Sequence, residues 1–301
     1  MIQSSHIGYH CISCGEFSPA DPFLYTCEKC DSNLDATYDY DKIKKGWSRK
    51  YLSGNRDRSI WRYLPLLPVA QNPEDTSIQV GGTPLVSQAR LAQELGIQDL
   101  WLKDDTRNPS GSLKDRATEV GIQHAKELGY KIIAAASTGN AAASLACLSA
   151  THKMEAVIFA PSSAPPAKLT QILQYGAHLF PVNGSYDDAF DLSMDVVKAT
   201  GWYLRSTGIN PILSEGKKTV ALEIAEQLNW EVPDQIFVPV GDGCIIGGVY
   251  KGFYDLHHLG WIDRLPKIVA VQAEGSSAIV NALKSGKIKP VNAETVADSI
   301  S

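Results

Sequence analysis

A lysine stands where a loop turns into a helix in the stretch NPSGSLKDR, residues 108–116. Pro, Ser and Gly are typical of turns, and Ser112 followed by Asp115 resembles a capping box, which predicts that a helix begins at about Leu113. Lys114 then lies in the first turn, where the helix dipole lowers the pKa of an ammonium group. A lysine with a lowered pKa is a better nucleophile for Schiff-base chemistry. From this stretch alone, a solvated Lys-Asp-Arg triplet on a surface helix remains the alternative.

Four cysteines in the first thirty residues form a second candidate site. They make two Cys-x-x-Cys pairs separated by twelve residues: Cys11, Cys14, Cys27 and Cys30. This spacing suits one tetrahedral ion in a zinc ribbon, and a structural site of that kind needs no open coordination position. The sequence therefore predicts an N-terminal module, residues 1–40, stabilised by Zn(II). Four unrelated reduced cysteines are the alternative.

Two further loops follow apolar strands. The strand at 132–136 ends in the polar sequence Ser137, Thr138, Gly139 and Asn140, before a helix of small residues. Free backbone amides at such a helix start suit a carboxylate or a phosphate, although an ordinary capped turn has the same pattern.

The strand at 236–240 runs into GDGCIIGG, residues 241–248. Glycines allow a backbone to approach a phosphate closely, and the spacing matches neither the dinucleotide fingerprint nor a P-loop. The segment NPILSEGKKT, residues 210–219, is predicted to be a polar loop ahead of a helix that carries Val220, Ile224 and Leu228.

Apolar runs that alternate with helical patterns predict a mostly parallel sheet covered on both faces. The runs lie at 100–102, 132–136, 157–160, 178–182, 236–240 and 268–272, whereas residues 42–82, with three prolines and a Gly-Gly pair, are predicted to be irregular. In such sheets ligands bind where the carboxyl ends of strands meet helix N-termini.

Composition excludes several classes of protein. The 301 residues are 44% hydrophobic and 20% charged, with a net charge of -5, which is typical of a soluble globular protein and gives no basic surface for nucleic acid or an anionic membrane. No export signal and no apolar run of membrane-spanning length is present, so we expect a cytoplasmic protein.

Taken in order, these segments resemble the fold-type II pyridoxal-phosphate enzymes, and within them the threonine synthases, over roughly residues 80–301. NPSGSLKDR resembles the cofactor-lysine motif, ASTGN (136–140) the substrate-carboxylate loop and VPVGDG (238–243) the cofactor-phosphate loop. GSYDDA (184–189) and NPILSEGKKT also resemble threonine-synthase segments, and some threonine synthases carry a four-cysteine ribbon. Cysteine synthases fit less well because their loops differ.

The resemblance implies roles for individual residues. Lys114 would be the catalytic residue that carries pyridoxal 5′-phosphate and moves the α- and then the β-proton. The implied cofactor-binding residues are Lys114, Asn140, Gly241, Asp242, Gly243, Cys244 and Ile245, with Asn140 beside the phenolic oxygen. The substrate would be a small amino-acid phosphate, O-phospho-L-homoserine, hydrated to threonine after its phosphate leaves. Its implied contacts are Ser137, Thr138, Gly139 and Asn140, with Lys103, Asn210 and Lys168 as candidates for the leaving phosphate.

The implied fold is α/β, with two three-layer αβα domains, mostly parallel sheets and the N-terminal cysteine module. Residues 41–104 and 206–301 would form the cofactor domain, 105–205 the smaller substrate-side domain, and the protein would be a homodimer. Asp242 departs from the family pattern, because a carboxylate beside a phosphate dianion requires its side chain to point away. The hydroxyl that binds the pyridine nitrogen is expected beyond the segment matched by 294–300, after Ser301.

Two alternatives stay open. The same cofactor could serve a cysteate synthase-like replacement or a serine/threonine dehydratase, since Lys114, Asn140 and the Gly241 loop would be unchanged. The chain could also be a non-catalytic zinc-binding relative that keeps the fold.

Overall fold

The computed structural model describes residues 3–73, 78–287, 289, 291 and 294–297. The chain begins with a small antiparallel sheet of order β2-β1-β3. Its strands are β1 (His6–Cys11), β2 (Phe17–Pro19) and β3 (Leu34–Tyr38). Tyr9, Ala36 and Tyr38 are buried under this sheet, so the cysteine-bearing module packs on the rest of the protein.

The region predicted to be irregular contains short helices instead. They are α1 (Tyr40–Gly46), α2 (Arg49–Gly54) and a 3-10 helix at Ile60–Leu66. Asp39 and Ser48 cap α1 and α2 through their side chains, which allows helices of only two turns to form despite weak periodicity. Next come β4 (Leu85–Ser87), α3 (Ala89–Leu95) and β5 (Trp101–Lys103), in which the two strands pair antiparallel.

A long helix leads into the main parallel sheet. The elements in order are α4 (Lys114–Glu127), β6 (Ile132–Ala136), α5 (Asn140–Thr151), β7 (Glu155–Pro161), α6 (Pro166–Gln174), β8 (His178–Val182), α7 (Tyr186–Thr200) and β9 (Tyr203–Leu204). The strand order is β8-β7-β6-β9, all parallel. Ile133 and Ala135 pack on one face with α5, whereas Ala134 packs with Ala189 of α7 on the other. This is the predicted αβα layering.

The rest of the described chain holds α8 (Pro211–Gln227), β10 (Gln235–Pro239), α9 (Cys244–His258), β11 (Lys267–Val271) and α10 (Ala278–Ser285). Strands β10 and β11 are parallel. The prediction of a polar loop for NPILSEGKKT is wrong, because Pro211–Gln227 is one continuous helix. Asn210 caps it and Pro211 occupies its first position, while its polar residues are buried as ion pairs with other helices.

Helix α8 lies between α4 and α9, and glycines allow both close approaches. A Cβ on Gly216 would lie 2.1 Å from the Arg116 carbonyl oxygen of α4. On the α9 side, a Cβ on Gly252 would lie 2.6 Å from the Lys218 carbonyl oxygen. The three helices therefore pack nearly backbone to backbone, and α4 and α9 each begin at one of the candidate site loops.

The cysteine module is attached to these helices by buried hydrogen bonds. The Tyr38 hydroxyl donates to Glu215 at 2.5 Å, and the Tyr40 hydroxyl donates to Asp255 at 2.7 Å. Lys218 lies between the two carboxylates and pairs with both. The module thus contacts α8 and α9 through charges that are removed from water.

Within the described residues, no helix combines the length and apolar character needed to cross a membrane. The architecture is an α/β fold with a parallel sheet covered by helices.

Candidate active site

Lys114 is the first residue of α4, one residue later than predicted. The predicted capping box is wrong, because the Asp115 carboxylate does not accept a hydrogen bond from the Ser112 amide. Its carboxylate instead accepts hydrogen bonds from the Ser110 amide (2.7 Å) and hydroxyl (2.5 Å), while Ser112 accepts from the Lys114 amide at 3.3 Å. Asp115 therefore fastens the loop that precedes the helix and fixes where Lys114 begins.

The Lys114 ammonium lies in an environment that disfavours its charge. Burial is the main reason that its pKa is lowered, and the nearby Arg205 guanidinium lowers it further. Asp242 and Cys244 act in the opposite direction. No ion pair among the described residues holds this ammonium. The sequence predicted the direction of the shift from the helix dipole, whereas the structure attributes it to burial and a neighbouring cation.

Residues 137–140 connect β6 to α5 at the carboxyl edge of the sheet, as expected. Asn140 is the first residue of α5, with Gly139 before it in an extended conformation. The Gly139 amide donates to the Ser137 hydroxyl at 3.3 Å. Ala142 and Ala143 donate to the Gly139 carbonyl, which leaves the Asn140 and Ala141 amides as the ones without an acceptor inside the helix. The loop therefore keeps the features of an anion site.

The glycine loop between β10 and α9 reaches the same place. Gly243 has a φ of 83°, a left-handed conformation that favours glycine, and α9 begins at the next residue. The Asp242 side chain does not point away, because its Oδ1 accepts a hydrogen bond from the Cys244 amide at 3.0 Å. Burial opposes ionisation of Asp242, yet Lys217 and the Cys244 amide together hold the pKa of this carboxyl below its ordinary value.

Three residues of the site were not predicted. Tyr186 donates to the carbonyl of Ala136 at 3.4 Å, at the end of β6, and it lies near both Arg205 and Asp242. Arg205 is 4% exposed, follows β9 and donates to the Thr118 hydroxyl at 3.1 Å. Tyr186 belongs to the GSYDDA segment, which was the available signal for it. Arg205 carried no signal beyond its place after a strand.

Lys217 was missed because its segment was predicted to be a loop. It lies in α8, is 1% exposed, and its Nζ has no hydrogen-bond partner among the described residues. Burial lowers its pKa to about 8, and the groups that modify this value are Cys244, Asp242, Arg205 and Lys114. A lysine from a segment predicted to be a polar loop is therefore a buried member of the site.

Comparison with known proteins decides the family. Residues 76–301 match the family described as pyridoxal-phosphate dependent enzyme. The chain belongs to the pyridoxal-phosphate-dependent enzymes. It is 41% identical over 295 residues to a threonine synthase of Methanocaldococcus jannaschii and 43% identical over 298 residues to one of Methanosarcina acetivorans. These alignments cover 96% and 97% of this chain and 72% of each relative.

Solved structures have the same fold. Maize serine racemase matches with a TM-score of 0.63 at 26% identity, covering 72% of this chain and 64% of that one. A processed threonine deaminase from Solanum lycopersicum matches with a TM-score of 0.64 at 24% identity, covering 72% and 58%. The chain thus spans less than two thirds of both structures.

The residues present fit a pyridoxal-phosphate enzyme. The Lys114 amine, the glycine loop at a helix N-terminus and the buried Lys217 cation lie close enough to affect one another's pKa values, and neither lysine has an ion-pair partner among the described residues. These groups suit a ligand that bears both an aldehyde and a phosphate.

The three candidates for the leaving phosphate are not brought together. Lys103 lies outside this group, because its Nζ donates to Thr83 (2.7 Å), Glu223 (2.7 Å) and Gln227 (2.8 Å). Asn210 is fully buried, and its amide donates to Leu204 and accepts from Ile212, so it caps α8. Both side chains are occupied by structural bonds, which argues against a role at the substrate.

Lys168 lies in the first turns of α6, which follows β7 at the same sheet edge as Asn140. It stays a candidate. Residues 298–301, where the chain approaches the expected pyridine-nitrogen partner, lie outside the described residues.

The four clustered cysteines converge in space. Their ligand atoms all lie within 4.8 Å of one another, with Sγ–Sγ distances of 3.4 Å for Cys11–Cys30 and 3.7 Å for Cys14–Cys27. A tetrahedral zinc–thiolate site with bonds of about 2.3 Å has sulfur–sulfur separations of about 3.8 Å. The arrangement is therefore suited to one metal ion.

Proposed function

We propose that this protein is a threonine synthase, which converts O-phospho-L-homoserine and water to L-threonine and phosphate. The observation that carries the proposal is the proximity of Lys114 to Asp242 and Cys244 of the glycine loop. Tyr186 lies near Asp242 and bonds to Ala136, where the loop at 137–140 begins. High identity to threonine synthases over nearly the whole chain, cysteine module included, supports this reaction over others of the family.

Pyridoxal phosphate, when bound, supplies an electron sink for negative charge at substrate carbons. The chain's own residues then position the substrate and move protons. Lys114 has a lowered pKa that favours the neutral amine, which is the form able to accept the α-proton and then the β-proton. Ser137, Thr138 and the amides at Gly139 and Asn140 would hold the substrate carboxylate.

Two cations are available for the leaving phosphate. Arg205 lies beside Lys114 and Tyr186, and its guanidinium has no carboxylate bonded to it among the described residues. Burial lowers its pKa to about 10, so it is still charged at neutral pH. We assign the leaving phosphate to Arg205, with Lys168 as a second candidate, in place of Lys103 and Asn210.

The remaining assignments are proposals of the same kind. Asn140 would contact the phenolic oxygen of the cofactor, and Gly241, Asp242, Gly243, Cys244 and Ile245 would line its phosphate. Residues 41–104 and 206–301 would form the cofactor domain and 105–205 the substrate-side domain. The cysteine module would hold a structural Zn(II), and the protein would act as a cytoplasmic homodimer.

The test is an end-point assay of purified protein supplied with pyridoxal phosphate and O-phospho-L-homoserine. We expect phosphate and threonine in equal amounts, and neither from Lys114→Ala, which should also lack the visible absorbance of bound cofactor. Lys126→Ala, an exposed lysine on the same helix, is the matched control and should retain both. Phosphate without threonine would overturn the reaction, and ammonia from serine or threonine would favour a dehydratase.

A further inference from the structure

Lys217 is a buried cation that has no bonded counter-charge in the part of the chain that the structure describes. Its side chain is 1% exposed and its Nζ has no hydrogen-bond partner among the described residues. The adjacent Lys218, equally buried, pairs with Glu215 and Asp255. Burial of an unpaired ammonium is strongly unfavourable. A fold that keeps such a group at the edge of a site is built to receive an anion there.

Helix packing places Lys217 beside the start of α9. A Cβ on Gly248 would lie 2.8 Å from the Lys217 Cβ, so the backbone of α9 approaches that side chain one turn after Cys244. The Cys244 amide donates to Asp242, and the Ile245 and Ile246 amides that follow it at the start of α9 have no partners within the helix. The Lys217 side chain and these amides therefore border the same space.

The nearby charges support an anion at this point. Cys244 and Asp242 are the groups that favour the charged form of Lys217, whereas Arg205 and Lys114 oppose it. Burial raises the pKa of the Cys244 thiol to about 11, so that group is neutral at neutral pH. Asp242 directs Oδ1 to the Cys244 amide rather than to Nζ. The positive charges of Lys217, Arg205 and Lys114 are thus only partly compensated by Asp242.

We propose that Lys217 binds the 5′-phosphate of the pyridoxal cofactor together with the first amides of α9. This inference rests on the proposed function, because it takes the cofactor from it. The cofactor phosphate is preferred to the substrate phosphate because α9, which begins at the glycine loop, packs directly against the Lys217 side chain at Gly248. Arg205 interacts with Asp242 as well, but also with Asp115 and Tyr186, and it follows β9 rather than packing against α9.

The experiment compares two ligands that differ only in the phosphate. Apo protein is titrated with pyridoxal phosphate and with pyridoxal, following the visible absorbance of the bound cofactor, for wild type and Lys217→Met. We expect affinity for pyridoxal phosphate to fall about tenfold to a hundredfold, as for loss of a charge-assisted hydrogen bond. Affinity for pyridoxal should stay unchanged. Lys198→Met, an exposed lysine of α7, should bind both ligands as wild type does.

A thermal-unfolding measurement of the apo protein separates binding from folding. Because an unpaired buried ammonium is destabilising, Lys217→Met should unfold at the same temperature as wild type or higher. If Lys217 instead stabilised the fold, Lys217→Met would unfold at a lower temperature than wild type. If the methionine variant does not fold, Lys217→Gln is titrated in its place, with the same expectation for the two ligands.

The outcomes distinguish this inference from the proposed function. If wild type binds no pyridoxal phosphate, the proposed function fails. Two results with a wild type that binds pyridoxal phosphate would overturn the role of Lys217. In one, the variant binds pyridoxal phosphate as well as wild type does; in the other, it loses affinity for pyridoxal phosphate and for pyridoxal equally. If cofactor affinity is unchanged while the KM for O-phospho-L-homoserine rises, Lys217 serves the substrate phosphate and the assignment to the cofactor is wrong.

Discussion

Three consecutive charged residues of NPSGSLKDR have three different environments. Lys114 faces the site without an ion pair, whereas Asp115 is fully buried and holds the preceding loop through Ser110. Arg116 is also fully buried and pairs with Asp105 and Glu223. At helical spacing, successive side chains point about 100° apart, so one short stretch can serve a site, a loop and a core ion network. The two structural residues hold the helix start rigid around the lysine.

A histidine on the same helix predicts how stability depends on pH. Burial lowers the pKa of His124 to about 4, and its Nδ1 lies 3.0 Å from the Tyr203 hydroxyl. The unfolded chain takes up this proton near the ordinary value of 6.5, so the imidazole is neutral in the fold and its contribution to stability falls as pH drops from about 6.5 to about 4. We expect the free energy of unfolding, measured with urea across this range, to fall more steeply with decreasing pH for wild type than for His124→Gln. The two slopes should differ by up to about 1.4 kcal/mol per pH unit.

The exposed His178 gives the control for that experiment. His178→Gln should leave the slope of the wild-type curve unchanged, because this side chain is exposed at the start of β8. Parallel curves for wild type and His124→Gln would contradict the prediction.

At the scale of elements, the packing of α8 decides where the site groups lie. Gly216 admits α4 on one side, and Gly248 and Gly252 admit α9 on the other. Since α4 begins at Lys114 and α9 begins at the glycine loop, the spacing of these three helices sets the distance between the Lys114 amine and the glycine loop. The glycines at these helix crossings therefore affect the positions of the site groups by setting how closely the helix backbones approach.

Two neighbouring glycines of α9 test this packing. Gly252→Ala should lower the free energy of unfolding by about 1–3 kcal/mol, because the new methyl would meet the Lys218 carbonyl at 2.6 Å. Gly247→Ala is the matched control, since nothing lies within 4 Å of its Cβ position. That change should be neutral or stabilise by up to about 1 kcal/mol through helix propensity. Equal effects of the two substitutions in urea unfolding would refute the close crossing.

At the scale of the whole molecule, the cysteine module is linked to the helices that carry the site. Tyr38 and Tyr40 reach Glu215 of α8 and Asp255 of α9. Lys217, which lies in α8 between Glu215 and Lys218, faces the site. An ion that orders the module thereby supports the position of α8 without touching the substrate.

Loss of a metal ion from the four cysteines should therefore lower the stability of the whole protein and not of the cysteine module alone. We expect wild type to bind one equivalent of zinc and Cys27→Ser to lose it, with a fall in Tm. A loss of about 2 kcal/mol corresponds to at least about 4 °C in a domain of this size class. Cys147→Ala, which removes a thiol of α5 remote in sequence from the four, should keep the zinc. Zinc content by metal analysis and Tm by thermal unfolding check this, and equal zinc in wild type and Cys27→Ser would refute the site.

The sequence by itself determined the local units of this protein. Apolar runs bounded by turn residues predicted β6 and β8 at their observed limits, and the loops at 137–140 and 241–245 were placed correctly after strands. The spacing of the four cysteines predicted their convergence. These features depend on neighbours in sequence, so periodicity and turn chemistry are sufficient to find them.

Only the tertiary structure decided which polar residues join the site. NPILSEGKKT reads as a solvated loop because its charges find their partners on other elements: Glu215 and Lys218 bind Tyr38 and Asp255 from distant segments. Lys103 was predicted to bind substrate, yet Glu223 and Gln227 of α8 occupy its ammonium. Lys217 was not singled out from the sequence, and it is a buried cation whose Nζ has no hydrogen-bond partner in the described part of the chain. The free energy of a charge depends on burial and on counter-charges that the fold brings from far along the chain, and a local pattern does not contain them.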